Sequence, residues 1–329
     1  MNVTPGVQRY DVILAGKYYL RELVEAITLE ESLDEIAYRA SIQLVHEAVP
    51  TVVPAQSIKI VGTPFGGTGT VTLFDGVVWE VESLTRGKRR LNITAYDRTI
   101  YLSRSEDEYL FPAGQTATQR IKKYAADWGI KLFSLADTKV PLEKAIYRSR
   151  PIYSMMLDDL RETVRKGGGM YRTRMAPTGL ELFEIGTNKT VWVLESSRNV
   201  EEISHNQTLE GAVTQVKVLG KESEGKRTPV LALVKGETAK YGTLQKIYQD
   251  DKVKTAAQAK KAGQELLSGP QETVTVRMID INTIRAGDKV KLDQRELIVA
   301  SVMHELGSPG HMMLELMPTW MIRRRYYAQ

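Results

Sequence analysis

The chain has 329 residues, and its 45 lysines and arginines against 40 aspartates and glutamates give a formal net charge of +5. This length exceeds the size at which one core usually stops growing, so we expect two or three domains, and the mild charge is no nucleic-acid signature by itself. The absence of cysteine excludes disulfides, thiol catalysis and cysteine-based zinc sites.

The first hundred residues predict short β-strands joined by turns. Alternation and turn residues indicate strands over residues 10–14, 37–44, 57–61 and 90–96. The acidic run 30–35 is interpreted as a connection and the glycine-rich stretch 62–69 as a loop. Asp75-Gly76 is typical of a type I′ turn, so strands 71–74 and 77–82 are expected to form a hairpin there. Such short strands favour a small barrel or sandwich.

The middle of the chain predicts α+β structure. After an acidic loop that follows Leu102, Thr116 and Gln119 have capping-box spacing, and apolar residues then recur at helical spacing as far as Trp128. Gly129 suits the left-handed position after the helix. A second helix is predicted over 155–165. The expected hairpin after it consists of strands 170–175 and 180–185.

The last third returns to β-strands. Candidate strands cover residues 191–195, 211–219, 229–234, 272–278, 289–292, 296–305 and 311–317. Thr255 and Gln258 repeat the capping-box spacing and open a helix, about 253–268, that closes at Gly269-Pro270. Residues 284–290 are interpreted as a turn that leads into a strand. Two β regions are therefore expected, each associated with one capped helix.

Four histidines were weighed as metal ligands: His46, His205, His304 and His311. Only His304 and His311 are close in sequence, on two strands of an expected hairpin. The helical His-Glu-x-x-His pattern is absent, so a polar pair on adjacent strands is favoured over a metal site.

Two glycine-rich runs were weighed as phosphate cradles. A cradle needs a strand before it and a helix N-terminus after it, so that backbone N–H groups face the anion. The run 62–69 precedes a strand, and Gly167 to Gly169 follow a helix. Both are therefore interpreted as ordinary loops or terminators.

The acidic pairs of the chain could in principle supply the two carboxylates of a glycoside hydrolase. Neighbours in sequence do not establish two carboxylates that face one bond, and surface pairs are favoured. These pairs are Glu30-Glu31, Asp158-Asp159, Glu201-Glu202 and Asp250-Asp251. We assign no catalytic, cofactor-binding or metal-binding residue, and we expect no enzyme.

The C-terminal run 320–327 mixes basic and aromatic residues, including Arg323 to Arg325. Such a mixture can stack bases or bind phosphate, but a contact with a partner protein or a solvated end is favoured. The methionines Met312, Met313 and Met317 are interpreted as core residues of a strand.

Residues 91–130 carry a resemblance to a known family. A strand that ends in Ala95-Tyr96-Asp97-Arg98, then Tyr101-Leu102-Ser103, then a helix from Thr116 that ends in Trp128-Gly129-Ile130, resembles the baseplate hub proteins of contractile phage tails. It is most similar to the hub of PBSX-like prophages and phage-derived bacteriocins. Residues 241–248, the alanine-rich helix up to Leu267 and residues 284–290 follow the order of that family.

The resemblance implies a structural role. Hub proteins carry two tube-like β-barrel domains and form homotrimers, which adapt the six-fold tail tube to the three-fold central spike. The implied partners are the tail tube protein, the central spike protein and other baseplate proteins, with DNA only as possible cargo of the lumen. No membrane partner and no cofactor are expected.

The expected fold class is α+β, mainly β, with two tube-like β-barrel domains and an intervening α+β region. The expected boundaries are a first barrel over 1–108, an α+β domain over 109–190, and a second barrel over 191–329. No signal peptide and no apolar run of roughly 20 residues is read, so we expect synthesis in the bacterial cytoplasm and incorporation into a virion or phage-tail-like particle. The alternatives are a tail-associated cell-wall hydrolase and a basic nucleic-acid-binding module.

Overall fold

The structure is a computed structural model that describes residues 9–45, 50–86, 88–195, 199–222, 227–250 and 253–328. Its helices are α1 (Ile100–Arg104), α2 (Ala117–Asp127), α3 (Ile152–Arg165), α4 (Thr238–Tyr241), α5 (Ala256–Leu266) and α6 (Thr319–Tyr327). A single 3-10 turn covers Arg21–Leu23 within this described part of the chain. No helix there is long and apolar enough to cross a membrane.

The strands confirm that the fold is mainly β. They are β1 (Tyr10–Leu14), β2 (Tyr18–Tyr19), β3 (Val24–Ser32), β4 (Arg39–Val45), β5 (Ser57–Gly62), β6 (Val71–Arg86), β7 (Lys88–Asp97), β8 (Glu106–Phe111), β9 (Leu132–Leu135), β10 (Ala145–Pro151), β11 (Tyr171–Ala176), β12 (Gly179–Glu184), β13 (Trp192–Leu194), β14 (Val200–Thr208), β15 (Gln215–Leu219), β16 (Val230–Lys235), β17 (Gln245–Gln249), β18 (Gln271–Ile279), β19 (Lys289–Leu292), β20 (Arg295–Leu306) and β21 (His311–Met317).

The chain forms two compact units. Unit 1 contains the chain up to residue 203 together with residues 275–327, and unit 2 contains residues 204–274. Strands β14 and β18 carry the chain out of unit 1 and back into it. The predicted boundaries near residues 108 and 190 stay predictions.

The largest sheet joins strands from both ends of the sequence. Its order is β14-β18-β21-β20-β3-β4-β7-β6-β5-β1-β2, and β19 pairs with β20 and β13 beside this path. The pairing of β20 with β3, from Ser301 opposite Ser32 to Leu306 opposite Ile27, connects the two groups of strands. Within the described residues this path is open, so the closed barrels predicted from the sequence are not formed by the strand pairing of one chain.

The hairpin predicted at Asp75-Gly76 is wrong, because both residues lie inside the continuous strand β6. Asp75 pairs with Lys59 of β5, and Gly76 lies opposite Asp97 of β7. A Cβ atom at position 76 would overlap the carbonyl oxygen of Tyr96. Glycine is therefore needed here because two strands approach closely. The sequence alone does not distinguish this role of a glycine from a role in a turn.

Two acidic stretches predicted as loops are strands. Glu30 to Ser32 form the end of β3, where Glu31 is buried. Glu106 to Glu108 begin β8, whose following residues Tyr109 and Phe111 are buried. In β8 the exposed acidic residues lead into alternating buried positions, whereas in β3 the alternation places Glu31 itself on the buried face.

Helix α2 of unit 1 has the predicted capping residues at both ends. The Thr116 hydroxyl accepts a hydrogen bond from the Gln119 N–H, and the Gln119 side chain accepts one from the Thr116 N–H. Gly129 has a φ of +62°. Helix α3 begins at Ile152, one turn before the predicted start, and packs against α2 and α6. The core around them contains stacked and edge-on contacts of Tyr109, Phe111 and Tyr124.

Unit 2 contains a three-stranded sheet that packs against helix α5, with the short helix α4 between β16 and β17. Strand β15 pairs antiparallel with β16 and parallel with β17. Its buried side chains Val216 and Val218 pack with Ala259 of α5. The capping box at Thr255 and Gln258 is confirmed. Gly263 permits close packing of α5, since a Cβ atom there would lie 2.6 Å from the Val234 side chain.

Candidate functional site

The structure separates the histidines that the sequence offered as metal ligands. His304 lies opposite Met312 and His311 lies opposite Glu305, so adjacent-strand alternation turns the two imidazoles to opposite faces of the sheet. His205 is exposed in β14, and His46 lies outside the described residues. No group of three histidines, aspartates or glutamates is arranged to hold a metal ion in the part of the chain that the structure describes.

His304 is fully buried and has a structural role. Its Nδ1 lies 2.6 Å from Asp280 Oδ1, and its Nε2 lies 2.9 Å from the carbonyl oxygen of Ile284. Because a carbonyl oxygen only accepts, Nε2 is the donor in the second bond. His304 thereby fixes both ends of the turn 280–284 against β20. His311 lies 3.0 Å from Glu201, both partly exposed.

The segment 280–288 is the polar junction of unit 1. The Asn282 side chain accepts a hydrogen bond from the Phe65 N–H at 2.9 Å and donates to the Thr63 carbonyl at 3.0 Å and the Tyr10 hydroxyl at 3.2 Å. The loop that follows β5, predicted as such, is thus held by one side chain. An amide suits this position because it both donates and accepts.

Arg285 is the central side chain of this junction. Its Nε and Nη2 donate to the two carboxylate oxygens of Glu31 at 2.6 and 2.5 Å, and its guanidinium lies 4.3 Å from the centre of the Tyr38 ring. Burial alone would raise the pKa of Glu31, but the Arg285 guanidinium holds it below its usual value. The pair therefore stays ionised although it is largely removed from water.

Asp288 extends the junction to the α+β part of unit 1. It accepts from Arg174 Nη1 at 3.1 Å and from the Arg285 N–H at 3.0 Å. Arg174 also donates to Glu181 at 2.9 Å and lies 4.1 Å from the centre of the Phe183 ring. Burial raises the pKa of Asp288, with Arg174 opposing the rise. Segment 280–288 thus contacts β3, β11 and the loop after β5.

A second buried polar network lies between α2 and α3. Arg120 Nη1 donates to Asp159 Oδ1 at 2.6 Å, and the hydroxyls of Tyr147 and Tyr124 donate to the same carboxylate at 2.9 and 3.2 Å. Burial raises the pKa of Asp159 to about 6, and Arg120 opposes that rise. The expectation of surface pairs is wrong for Asp159 and Glu31, while Asp158 bonds to Arg150 and Arg161 at the surface.

The Tyr96-Asp97-Arg98 stretch marks the end of β7. Asp97 is buried and accepts from the Tyr38 N–H at 3.0 Å and the Thr99 N–H at 2.8 Å. Burial raises the pKa of Asp97 to about 6. The Asp97 carboxylate thus holds the start of α1 beside the beginning of β4. This role is structural.

The C-terminal run is a helix packed on its own chain, which corrects the expectation of a partner contact or a solvated end. Met321, Ile322, Tyr326 and Tyr327 of α6 are buried in the core around α3. The Tyr327 hydroxyl donates to the Tyr171 carbonyl at 2.6 Å. The helical spacing of these apolar residues is a signal that sequence reasoning missed.

The three methionines of β21 divide between core and surface. Met312 and Met317 are buried as predicted, whereas Met313 is 43% exposed. The prediction was therefore wrong for Met313, because neighbouring residues of a strand point to opposite faces.

Comparison with known proteins identifies the family. A model of the YQBQ-like family matches residues 27–317, nearly the whole chain. The chain belongs to the YQBQ-like family. This match and the relation to the PBSX protein XkdQ confirm the resemblance at the level of a phage tail protein.

Two relatives come from Bacillus subtilis (strain 168). The chain is 28% identical to the YqbQ protein over 236 residues, which cover 68% of each chain. It is 28% identical to the phage-like element PBSX protein XkdQ over 174 residues, which cover 53% of this chain and 52% of XkdQ.

Two solved structures share the fold of this YQBQ-like chain along its length. The 43 kDa tail protein of prophage MuSo2 from Shewanella oneidensis matches with a TM-score of 0.72 at 14% identity, over 94% of this chain and 98% of that protein. The tail protein from Neisseria meningitidis MC58 matches with a TM-score of 0.71 at 15% identity, over 98% and 100%. The chain therefore has a phage tail protein fold.

Proposed function

We propose that this protein is a tail hub, a non-enzymatic homotrimeric adaptor between the six-fold tail tube and the three-fold central spike of a contractile injection system. The observation that carries the proposal is the fold, which is shared with two tail proteins, one of them from a prophage, over 94% or more of the chain. The relation to XkdQ of the phage-like element PBSX supports the same kind of particle.

The architecture of unit 1 supports the symmetry of this proposal. Strands β1 to β7 form one group in the large sheet, and β18 to β21 form a second group beside it, joined by β3 and β20. Three chains would contribute six such groups to one ring. A ring of this kind presents approximate six-fold symmetry on one side and true three-fold symmetry on the other.

The buried junction supports a structural role. Its polar side chains bond to one another: Glu31 with Arg285, Asp288 with Arg174, and Asp280 with His304. These contacts join segments that are distant in sequence and hold one fixed shape. A rigid shape is what an adaptor between two symmetric assemblies requires.

In this proposal the protein is part of a virion or phage-tail-like particle. It contacts the tail tube protein, the central spike protein and other baseplate proteins, with DNA only as possible cargo of the lumen.

The test is the mass of the purified protein by native mass spectrometry. A trimer has three times the 37.0 kDa mass of one chain. Addition of tube and spike proteins should yield a complex that contains all three, visible by electron microscopy. A protein that stays monomeric alone and in the presence of both partners would contradict the hub. Clearing of a peptidoglycan suspension at low protein concentration would favour the hydrolase instead.

A further inference from the structure

A groove of about 490 Å³ lies on one face of the large sheet of unit 1, and we call it the transverse groove. Its lining residues come from the neighbouring strands β18, β21, β20, β3, β4 and β7 and from the connection between β3 and β4. The residues that line it are Glu30, Glu31, Ser32, Asp34, Glu35, Ala37, Arg39, Tyr96, Thr275, Ser301, Val302, Met303, Met313 and Glu315.

The strand register makes one continuous row along this groove. Met313 lies opposite Met303, Met303 opposite Glu30, Glu30 opposite Arg39, and Arg39 opposite Tyr96. Residues directly opposite in neighbouring strands share one face, so all five side chains project to the same side. The row runs from two methionines through an ion pair to an aromatic ring.

An aromatic cluster extends the row beyond Tyr96. The Trp79 ring centre lies 6.0 Å from that of Tyr96 and 6.2 Å from that of Tyr101. Trp79 is 40% exposed and lies where the register of β6 and β7 shifts between Val78 and Glu80. A β-bulge of this kind changes the direction in which a side chain points. The exposed faces of indole and phenol rings attract cations.

Carboxylates exceed cations along the groove. The carboxylates in its walls are Glu30, Glu31, Asp34, Glu35 and Glu315. Three guanidinium groups pair with four of them: Arg39 with Glu30 at 3.3 Å, Arg285 with Glu31, and Arg325 with Asp34 and Glu315. Arg325 reaches one end from α6. Its guanidinium bridges Asp34 at 3.0 Å and Glu315 at 3.2 Å. The walls therefore already bind an arginine side chain of this chain.

We propose that the transverse groove binds an extended segment of another protein that carries arginine or lysine residues between apolar ones. The carboxylates complement the cations, the methionines adapt to apolar side chains, and the aromatic cluster stacks on a guanidinium. The junction of unit 1 shows the same chemistry inside the fold, where Arg285 lies between the Glu31 carboxylate and the Tyr38 ring. This proposal does not depend on the hub role.

The test uses a fluorescein-labelled nonapeptide of alternating arginine and leucine, with fluorescence anisotropy as the readout. The same peptide with glutamate in place of arginine is the control ligand. The double variant Glu30→Gln/Glu35→Gln should weaken binding about tenfold, which corresponds to about 1.4 kcal/mol. Trp79→Ala should weaken it severalfold, because it removes the aromatic cluster that extends the row beyond Tyr96.

The matched control variant is Glu106→Gln/Glu108→Gln, which removes two exposed carboxylates of β8 outside the groove. It should bind the arginine peptide like the unaltered protein. Equal loss in control and groove variants, equal binding of the glutamate peptide, or absence of binding would overturn the proposal. A change in oligomeric mass confined to the groove variants would also overturn it, because the groove would then be a contact between copies of this chain.

Discussion

Glu31 and Arg285 are 254 positions apart in the chain, and their side chains form a two-point ion pair at 2.6 and 2.5 Å. The Ala286 N–H donates to the same carboxylate at 3.0 Å. One contact thus connects the end of β3 with the segment that precedes β19, and it holds the two halves of the large sheet in register.

Glu31→Gln should lower the free energy of unfolding by about 3–5 kcal/mol, because it leaves a buried guanidinium without its counter-charge. Urea denaturation measures this loss. The control is Glu296→Gln, which removes the more exposed pair with Lys289 and should cost less than about 1 kcal/mol. Losses of similar size in both variants would show that the buried pair contributes no more to the free energy of unfolding than the exposed pair.

Asp159 gives the stability of unit 1 a dependence on pH. Burial raises its pKa to about 6 in the folded protein, above the value of about 3.9 expected in the unfolded chain. The folded state then binds a proton between these values that the unfolded state does not. The extra stability that this proton gives the folded state is fully present below about pH 3.9, and it is lost as the pH rises through about 6.

The measurement compares the unaltered protein with Asp159→Asn by urea denaturation at several pH values. The stability difference between them should shift in favour of the unaltered protein by about 1–3 kcal/mol from pH 7 to pH 4.5. A difference that stays constant over this range would contradict the raised pKa.

Gly76→Ala should destabilise unit 1 by at least about 1–3 kcal/mol, because the new methyl group overlaps the Tyr96 carbonyl of the neighbouring strand. Gly69→Ala is the control, since nothing lies within 4 Å of a Cβ atom there. Thermal unfolding followed by circular dichroism compares the two. If both substitutions were neutral, β6 and β7 would not approach as closely as the structure has them.

Ile322→Ala should cost about 2–5 kcal/mol, because Ile322 of α6 is fully buried in the core around α3. Trp320→Ala, two residues earlier, removes a side chain that is 55% exposed and should change stability by less than about 0.5 kcal/mol. Chemical denaturation separates them. A larger effect at Trp320 in the isolated protein would mean that the helix packs by its other face.

Local signals in the sequence predicted local structure well. Both capping boxes, at Thr116 and Thr255, begin helices as expected, because an N-cap involves only four neighbouring residues. Strands β19 and β21 have the predicted bounds, since alternation needs no distant partner to be visible.

Distant partners explain what the sequence could not predict. Gly76 has the sequence of a turn, and only the position of Tyr96 makes it a strand residue. Arg285 was part of the segment 284–290 that was interpreted as a turn, and Asn282 lies two residues before that segment. Their roles depend on Glu31 and Phe65, which are more than 200 positions away. The charges, turn residues and capping residues of the sequence do not show which distant residues will pair.

The pairing of β3 with β20 also sets an order of events during translation. Ser32 ends β3, and its partner strand is completed about 270 residues later at Leu306. At about 5–20 residues per second, one edge of β3 waits roughly 14–55 s for its partner while the ribosome makes the rest. Unpaired strand edges are sites of aggregation. The edge of β3 that faces β20 therefore stays unpaired until the last strands of the chain emerge.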